Sequence, residues 1–251
     1  MSGQLPVAGR LAGRVAIVTG GARGQGVSHA ERLAREGATV ISGDVLDELG
    51  EEAAARLRAE GLRVSYRHLD VTEPADWAAA VADATARGPL RILVNNAGVI
   101  HVTPLVEETL EAWNRLLAVN LTGTLLGMQA AIPALKAAGG GSIVNVASIF
   151  GVNGAEGYVA YTASKGAVLA ITKTAALEHA ADGIRVNAIC PGGVSTPMNE
   201  SEPEGGVVPQ TPLARRAQPS EISGAVAYLA SDDASFVTGT ELVVDGGYLA
   251  R

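Results

Sequence analysis

A single cysteine, Cys190, stands in 251 residues, so no disulfide can form within the chain. It closes an apolar run and reads as a buried core thiol at a strand end. Aromatic residues make up only 4% of the chain, which leaves small aliphatic side chains to fill the core. Glycine is abundant instead, at 31 residues, a mix that suits helices packed closely on a sheet. Basic residues are short: 19 Lys and Arg against 26 Asp and Glu give a formal net charge of −7, with no basic tract to offset it. That deficit argues against nucleic acid or an anionic membrane as the main partner. His29, His68, His101 and His179 show no metal-ligand spacing and read as surface or helix-face residues, so no metal site is expected; lining a pocket is the alternative for His101, which follows Asn95-Asn96-Ala97-Gly98. No apolar run reads as long and charge-free enough to cross a bilayer. Residues 1–12 lack the basic start and apolar stretch of a signal peptide and read as a flexible tail, so a cytoplasmic protein is expected.

What is present is a regular alternation. Short β-rich runs at 14–19, 38–43, 62–69, 91–94, 142–146, 184–189 and 241–244 are separated by helical patterns near 25–36, 46–60, 73–87, 109–137, 158–180 and 219–230. Strand, helix, strand without interruption predicts an α/β fold, a parallel sheet with helices on both faces, in one domain over 13–251. The one long irregular stretch, 192–218, carries four prolines and follows the sixth strand at its carboxyl end, where ligands bind in open α/β sheets. It is read as a substrate-binding lid.

Gly20, Gly24 and Gly26 lie between a strand ending at Thr19 and a helix opening near Gln25. A glycine turn in that position lets backbone approach a pyrophosphate at a helix N-terminus, where free N–H groups attract anions. Asp44, followed by Val45, closes the second strand. A carboxylate there can accept from both ribose hydroxyls of an adenosine and repels a 2′-phosphate, so it predicts NAD; its other reading is a cap for the next helix. Arg23 pulls toward NADP, because a guanidinium can bind that phosphate.

Tyr161 and Lys165 are four residues apart, on one face of a predicted helix. An ammonium beside a phenol favours the phenolate and makes a usable base of a weak one. Ser148, thirteen residues earlier, can bond the same substrate oxygen from the other side. Asn120, in the interior of the long helix, is placed to hold a water that links Lys165 to solvent. Singly these residues read as a cap, a helix contact, a surface charge and a core aromatic; their joint spacing reads as a catalytic set. Ile149, Phe150, Val152, Tyr158 and Met198 predict an apolar wall that suits a bulky neutral substrate.

These motifs together, with Asp70-Val71, Pro191-Gly192 and the closing Val243-Val244-Asp245-Gly246-Gly247, resemble the short-chain dehydrogenase/reductase family from Arg14 to Tyr248. The resemblance implies a seven-stranded Rossmann sheet and a catalytic tetrad of Asn120, Ser148, Tyr161 and Lys165. It implies that Asp70 and Val71 flank the adenine, that Asn96, Ala97, Gly98, Pro191, Gly192 and Val194 border the cofactor, and that Thr196 meets the carboxamide. Lys165 would also bond the nicotinamide ribose, beside Tyr161. Within the family the segments look most like bacterial NAD-dependent hydroxysteroid and secondary-alcohol dehydrogenases. Gln25 departs from the aliphatic residue usual beside the nicotinamide, and an end at Arg251 predicts an open pocket. The expected activity is reversible hydride transfer between NAD and a hydrophobic alcohol or ketone in a homotetramer. An NADPH-dependent ketoreductase and a non-catalytic dinucleotide-binding protein are the rivals.

Overall fold

A computed structural model describes residues 9–199 and 206–250. Among them the strands are β1 Val15–Thr19, β2 Thr39–Asp44, β3 Val64–His68, β4 Leu90–Asn95, β5 Gly141–Val146, β6 Ile184–Pro191 and β7 Glu241–Val244. The helices are α1 Gly24–Arg35, α2 Asp47–Ala59, α3 Pro74–Arg87, α4 Leu110–Leu117, α5 Gly123–Ala137, α6 Val159–His179 and α7 Pro219–Ala230. All the strands join one parallel sheet in the order β3-β2-β1-β4-β5-β6-β7. The order reverses between β1 and β4, which opens a crevice at their carboxyl ends.

The strand β1 shows why the apolar runs read as continuous. All five of its residues are buried, as a strand covered on both faces requires. Alternation sends Ala16 and Val18 to the layer with Leu33, Val226 and Leu229. Val15 and Ile17 go to the opposite layer with Trp77, Met128 and Leu135. Helix starts follow local chemistry: Pro74 opens α3, Thr109 Oγ1 accepts from Ala112 N–H at 3.2 Å before α4, and Gln218 and Glu221 form a reciprocal capping box on α7.

Four expectations change. The span Leu110–Ala137 is long and apolar enough, by length and composition, to cross a membrane. In the fold a π-turn at Ala118–Thr122 and the internal Pro133 interrupt its regularity, while Met128, Ala131 and Leu135 enter the core. Of the expected 1–12 tail, residues 1–8 lie outside the described residues, and the rest is packed. Leu11 is fully buried, and Arg10 pairs with Glu36 at 2.8 Å and Asp233 at 2.6 Å. The strand β6 runs two residues further than predicted and carries Cys190 inside it; burial pushes its thiol up to about 11. Residues 200–205 of the expected lid lie outside the described residues. The described parts of 192–218 hold short 3₁₀ turns, and the base of the loop is fastened by Ser195 N–H to Ala217 O and Ala217 N–H to Gly193 O, both 2.9 Å.

Candidate active site

A cleft of about 650 Å³ opens at the carboxyl edge of the sheet, and the glycine turn and the Tyr161-Lys165 pair both line it. Two glycines of the turn, Gly20 and Gly24, take φ of +66° and +58°, where a side chain is strained. Gly26 is required for space: a Cβ there would lie 1.9 Å from the Gly20 oxygen. Gly26 therefore shapes the turn from behind, and it does not line the cleft as the sequence reading placed it. Thr19 and Asn96 hold the turn against β4. Thr19 Oγ1 accepts from the Asn96 and Ala97 N–H groups at 3.0 Å each, and Asn96 Nδ2 donates to the Thr19 oxygen at 2.8 Å.

Asp44 stands at the end of β2, in the cleft wall with Arg23, Gln25 and Val45. Its Oδ2 accepts from Ala22 N–H at 3.0 Å, and its Oδ1 accepts from Val45 and Leu46 N–H at 2.8 and 3.1 Å. The cap-like bonds thus exist, yet α2 begins only at Asp47 and the carboxylate still borders the cleft. Arg23 is exposed and makes no ion pair among the described residues. Further along, Asp70 Oδ1 accepts from Thr72 N–H at 2.9 Å and from its hydroxyl at 2.8 Å, a small turn that presents Val71 to the cleft.

At the other end, α6 sets Tyr161 and Lys165 one turn apart. Lys165 is 4% exposed; its Nζ lies 5.7 Å from the Tyr161 ring centroid and donates to the Val146 oxygen at 2.7 Å. Burial pulls its pKa down to about 8, so at neutral pH the ammonium persists in a site shielded from water. Ser148 follows β5 and lines the cleft, and its Oγ accepts from Phe150 N–H at 3.1 Å. Capping and cleft placement coexist in that one hydroxyl. Asn120 does not reach the cleft. The π-turn, one residue wider than a regular helical turn, brings it inward: Oδ1 accepts from Val99 N–H at 2.8 Å, and Nδ2 donates to Val99 O at 2.9 Å and Ser164 Oγ at 3.2 Å. The side-chain amide, expected to hold a water, is bonded to protein at Val99 and Ser164.

A family model described as enoyl-(acyl carrier protein) reductase matches residues 20–249. The 3-alpha-(or 20-beta)-hydroxysteroid dehydrogenase of Mycobacterium tuberculosis is 51% identical over 245 residues, covering 97% of this chain and 92% of that one. The cyclopentanol dehydrogenase of a Comamonas species is 45% identical over 249 residues, covering 97% and 100%. The crystal structure of a short-chain type dehydrogenase/reductase from Mycobacterium marinum superposes with a TM-score of 0.92 at 33% identity, covering 96% of this chain and 97% of that one. The chain belongs to the short-chain dehydrogenase/reductase family.

As a short-chain dehydrogenase/reductase it is an oxidoreductase, and the family implies a nicotinamide dinucleotide cofactor. The residues present fit one. The turn has no Cβ at Gly20, Gly24 and Gly26, and the α1 N-terminus offers free N–H groups beside it. Gly98 keeps the far end open: a Cβ there would come within 3.3 Å of Asn120 Oδ1 and 3.6 Å of Lys165 Nζ. Pro191, Gly192, Val194 and Thr196 line the same cleft from the end of β6.

On the expected substrate wall, Ile149, Phe150 and Met198 do line the cleft, whereas Val152 and Tyr158 do not. The 3₁₀ turn Ile149–Gly151 carries Val152 outward, where it is half exposed. Tyr158 instead packs behind the wall, its ring 5.3 Å from Phe150 and 6.5 Å from Tyr161. His101 also stands outside the wall and pairs with Glu108 at 2.8 Å. The sequence reading missed Thr19, Ile100 and Arg115. The last carried a usable signal, since Arg115 and Val119 are four apart on one helical face and both line the cleft.

Proposed function

We propose that the protein transfers hydride reversibly between NAD and a hydrophobic secondary alcohol or its ketone, with Tyr161 as general acid and base. The observation that carries this reading is the buried Lys165 cation 5.7 Å from the Tyr161 ring, in the same cleft as Ser148 and the glycine turn. A cation in a dry site favours the phenolate far more than one in water, because little solvent screens it. In oxidation the Tyr161 oxygen takes the hydroxyl proton of the substrate, and Ser148 Oγ donates to the oxygen as carbonyl character develops. In reduction Tyr161 returns that proton. A bound nicotinamide dinucleotide supplies the hydride acceptor or donor. Asn120 acts as a positioning residue, tying the β4 extension at Val99 to Ser164 on α6.

Asp44 supports NAD over NADP, since a 2′-phosphate would meet its carboxylate while ribose hydroxyls would donate to it. The exposed guanidinium of Arg23 favours the second reading, an NADPH-dependent ketoreductase. The apolar wall of Ile100, Ile149, Phe150 and Met198 suits a bulky neutral substrate, and the relatives named for a hydroxysteroid and for cyclopentanol point to the same class. Exposed Leu110, Leu125 and Leu177 on the long helices support a homotetramer. Assay of NADH and NADPH oxidation against a panel of cyclic, aryl and steroid ketones tests the reading. Turnover of hydrophobic ketones with NADH is expected, and no turnover with either dinucleotide would refute it. Light scattering that shows a stable monomer at micromolar concentration would refute the assembly.

A further inference from the structure

The amide of Gln25 is an unsolved group in the cleft wall. It belongs to the second residue of α1 and lines the cleft, yet its Oε1 is shielded from water and has no hydrogen-bond donor among the described residues. A buried acceptor without a partner carries a desolvation cost that a donor would relieve. The direction of the turn identifies that donor. At its start Ala22 N–H binds the Asp44 carboxylate, which marks the adenosine end. At its close the space beside Gly24 is filled by Thr196, whose Cβ and Cγ2 lie 3.5 Å from where a Gly24 Cβ would be. Gln25 follows Gly24, so its amide belongs to the half of the cleft that runs toward Tyr161 and Lys165.

A nicotinamide dinucleotide carries one primary amide donor at that end, the carboxamide NH₂; its other amine is on the adenine. We propose that Gln25 Oε1 accepts a hydrogen bond from the carboxamide N–H of the cofactor, which makes Gln25 a determinant of cofactor-head recognition. This rests on the dinucleotide reading above. The terminal torsion of a glutamine side chain is broad, so rotation of the amide toward the cleft costs little. The bond fixes the rotation of the nicotinamide ring about its glycosidic bond, and hence which face of the ring meets the substrate.

The test is a binding cycle read by calorimetry on the ligand-free protein, with NAD and with 3-acetylpyridine adenine dinucleotide, in which a methyl replaces the NH₂ donor. The ratio of the two dissociation constants is measured for wild type, for Gln25→Met and for Gln25→Leu. The ratio is expected to fall by about fivefold to tenfold in both variants, because only the donor-bearing cofactor loses a bond. An unchanged ratio, within about twofold, overturns the proposal even if both variants bind weakly. The melting temperature of ligand-free Gln25→Met is expected to equal or exceed that of wild type, since the lost oxygen has no partner to miss. A clear fall would give the amide a structural role and overturn the proposal as well. Failure of wild type to bind either dinucleotide would instead refute the cofactor reading.

Discussion

The two ends of the cleft are built from different materials. At the glycine turn the binding surface is backbone: Gly20, Gly24 and Gly26 matter for the Cβ atoms they lack, and the Asp44 carboxylate is held by three backbone N–H groups, one from the turn at Ala22 and two from Val45 and Leu46. At the chemical end the working atoms are side-chain atoms delivered from separate elements. Ser148 comes from the end of β5, Tyr161 and Lys165 from α6, and Asn120 supports them from a π-turn. A backbone surface tolerates unusual side chains, which is why Gln25 and Arg23 can stand in the turn without altering its shape. A side-chain site tolerates no such exchange, because each function resides in one atom.

If the chemical end does depend on single atoms, Tyr161→Phe should lower turnover by about 10² to 10⁴-fold while calorimetry shows dinucleotide affinity close to wild type. More than a tenth of the activity surviving would break the contrast at its strongest point. Lys165 sharpens it through pH. Burial holds its pKa at about 8, below its ordinary 10.5, so between these values the unfolded chain binds the extra proton and the Lys165 contribution to stability rises with pH. The buried Cys190 thiol, pushed up to about 11, acts with the opposite sign above pH 9, so urea unfolding from pH 8 to 9 should show the gain, on the order of 1 kcal/mol, and Lys165→Met should remove it. A difference between wild type and Lys165→Met that does not change from pH 8 to 9 would mean that the ammonium is not desolvated.

For the backbone end the corresponding change is Gly26→Ala, whose Cβ would press on the Gly20 oxygen. A loss of about 1 to 3 kcal/mol in unfolding free energy is expected, with weaker dinucleotide binding. Unaltered binding would show that the turn is less rigid than the contacts indicate. Asp44→Ala should shrink or invert an NAD preference of at least about tenfold, or roughly 1.4 kcal/mol, in kcat/KM. If the preference is unchanged, Asp44 serves the turn alone. The smallest effect is Val152→Ala, expected to leave stability within about 0.5 kcal/mol and turnover unaltered, since its side chain is half exposed beyond the wall.

The backbone end was the more legible in the sequence, because its determinants are contiguous: a strand, a glycine turn and a helix within the span from Val15 to Arg35. The pair Tyr161 and Lys165 was legible for the same reason, being one helical turn apart. Val152 and Tyr158 were placed in the wall because they neighbour Phe150 in sequence; the tight turn at Ile149–Gly151 sends one outward and the other behind. Asn120 was recognised as an interior amide, but its partners are far away in the chain, at Val99 and Ser164. Arg115 was overlooked because its spacing from Val119 sets both on one helical face without saying whether that face meets a cleft or solvent.

By itself the sequence determined the alternation of strands and helices, the apolar strands buried on both faces, and the residues able to do acid-base chemistry. Those follow from local propensity, periodicity and side-chain type, which act over a few residues. Only the tertiary structure decided that Lys165 is dry and depressed to about 8, that Leu11 closes the core, and that Gln25 Oε1 lies buried without a donor among the described residues. Burial and hydrogen-bond satisfaction depend on what distant segments bring to the same place, and that is set when the sheet assembles rather than when each element forms.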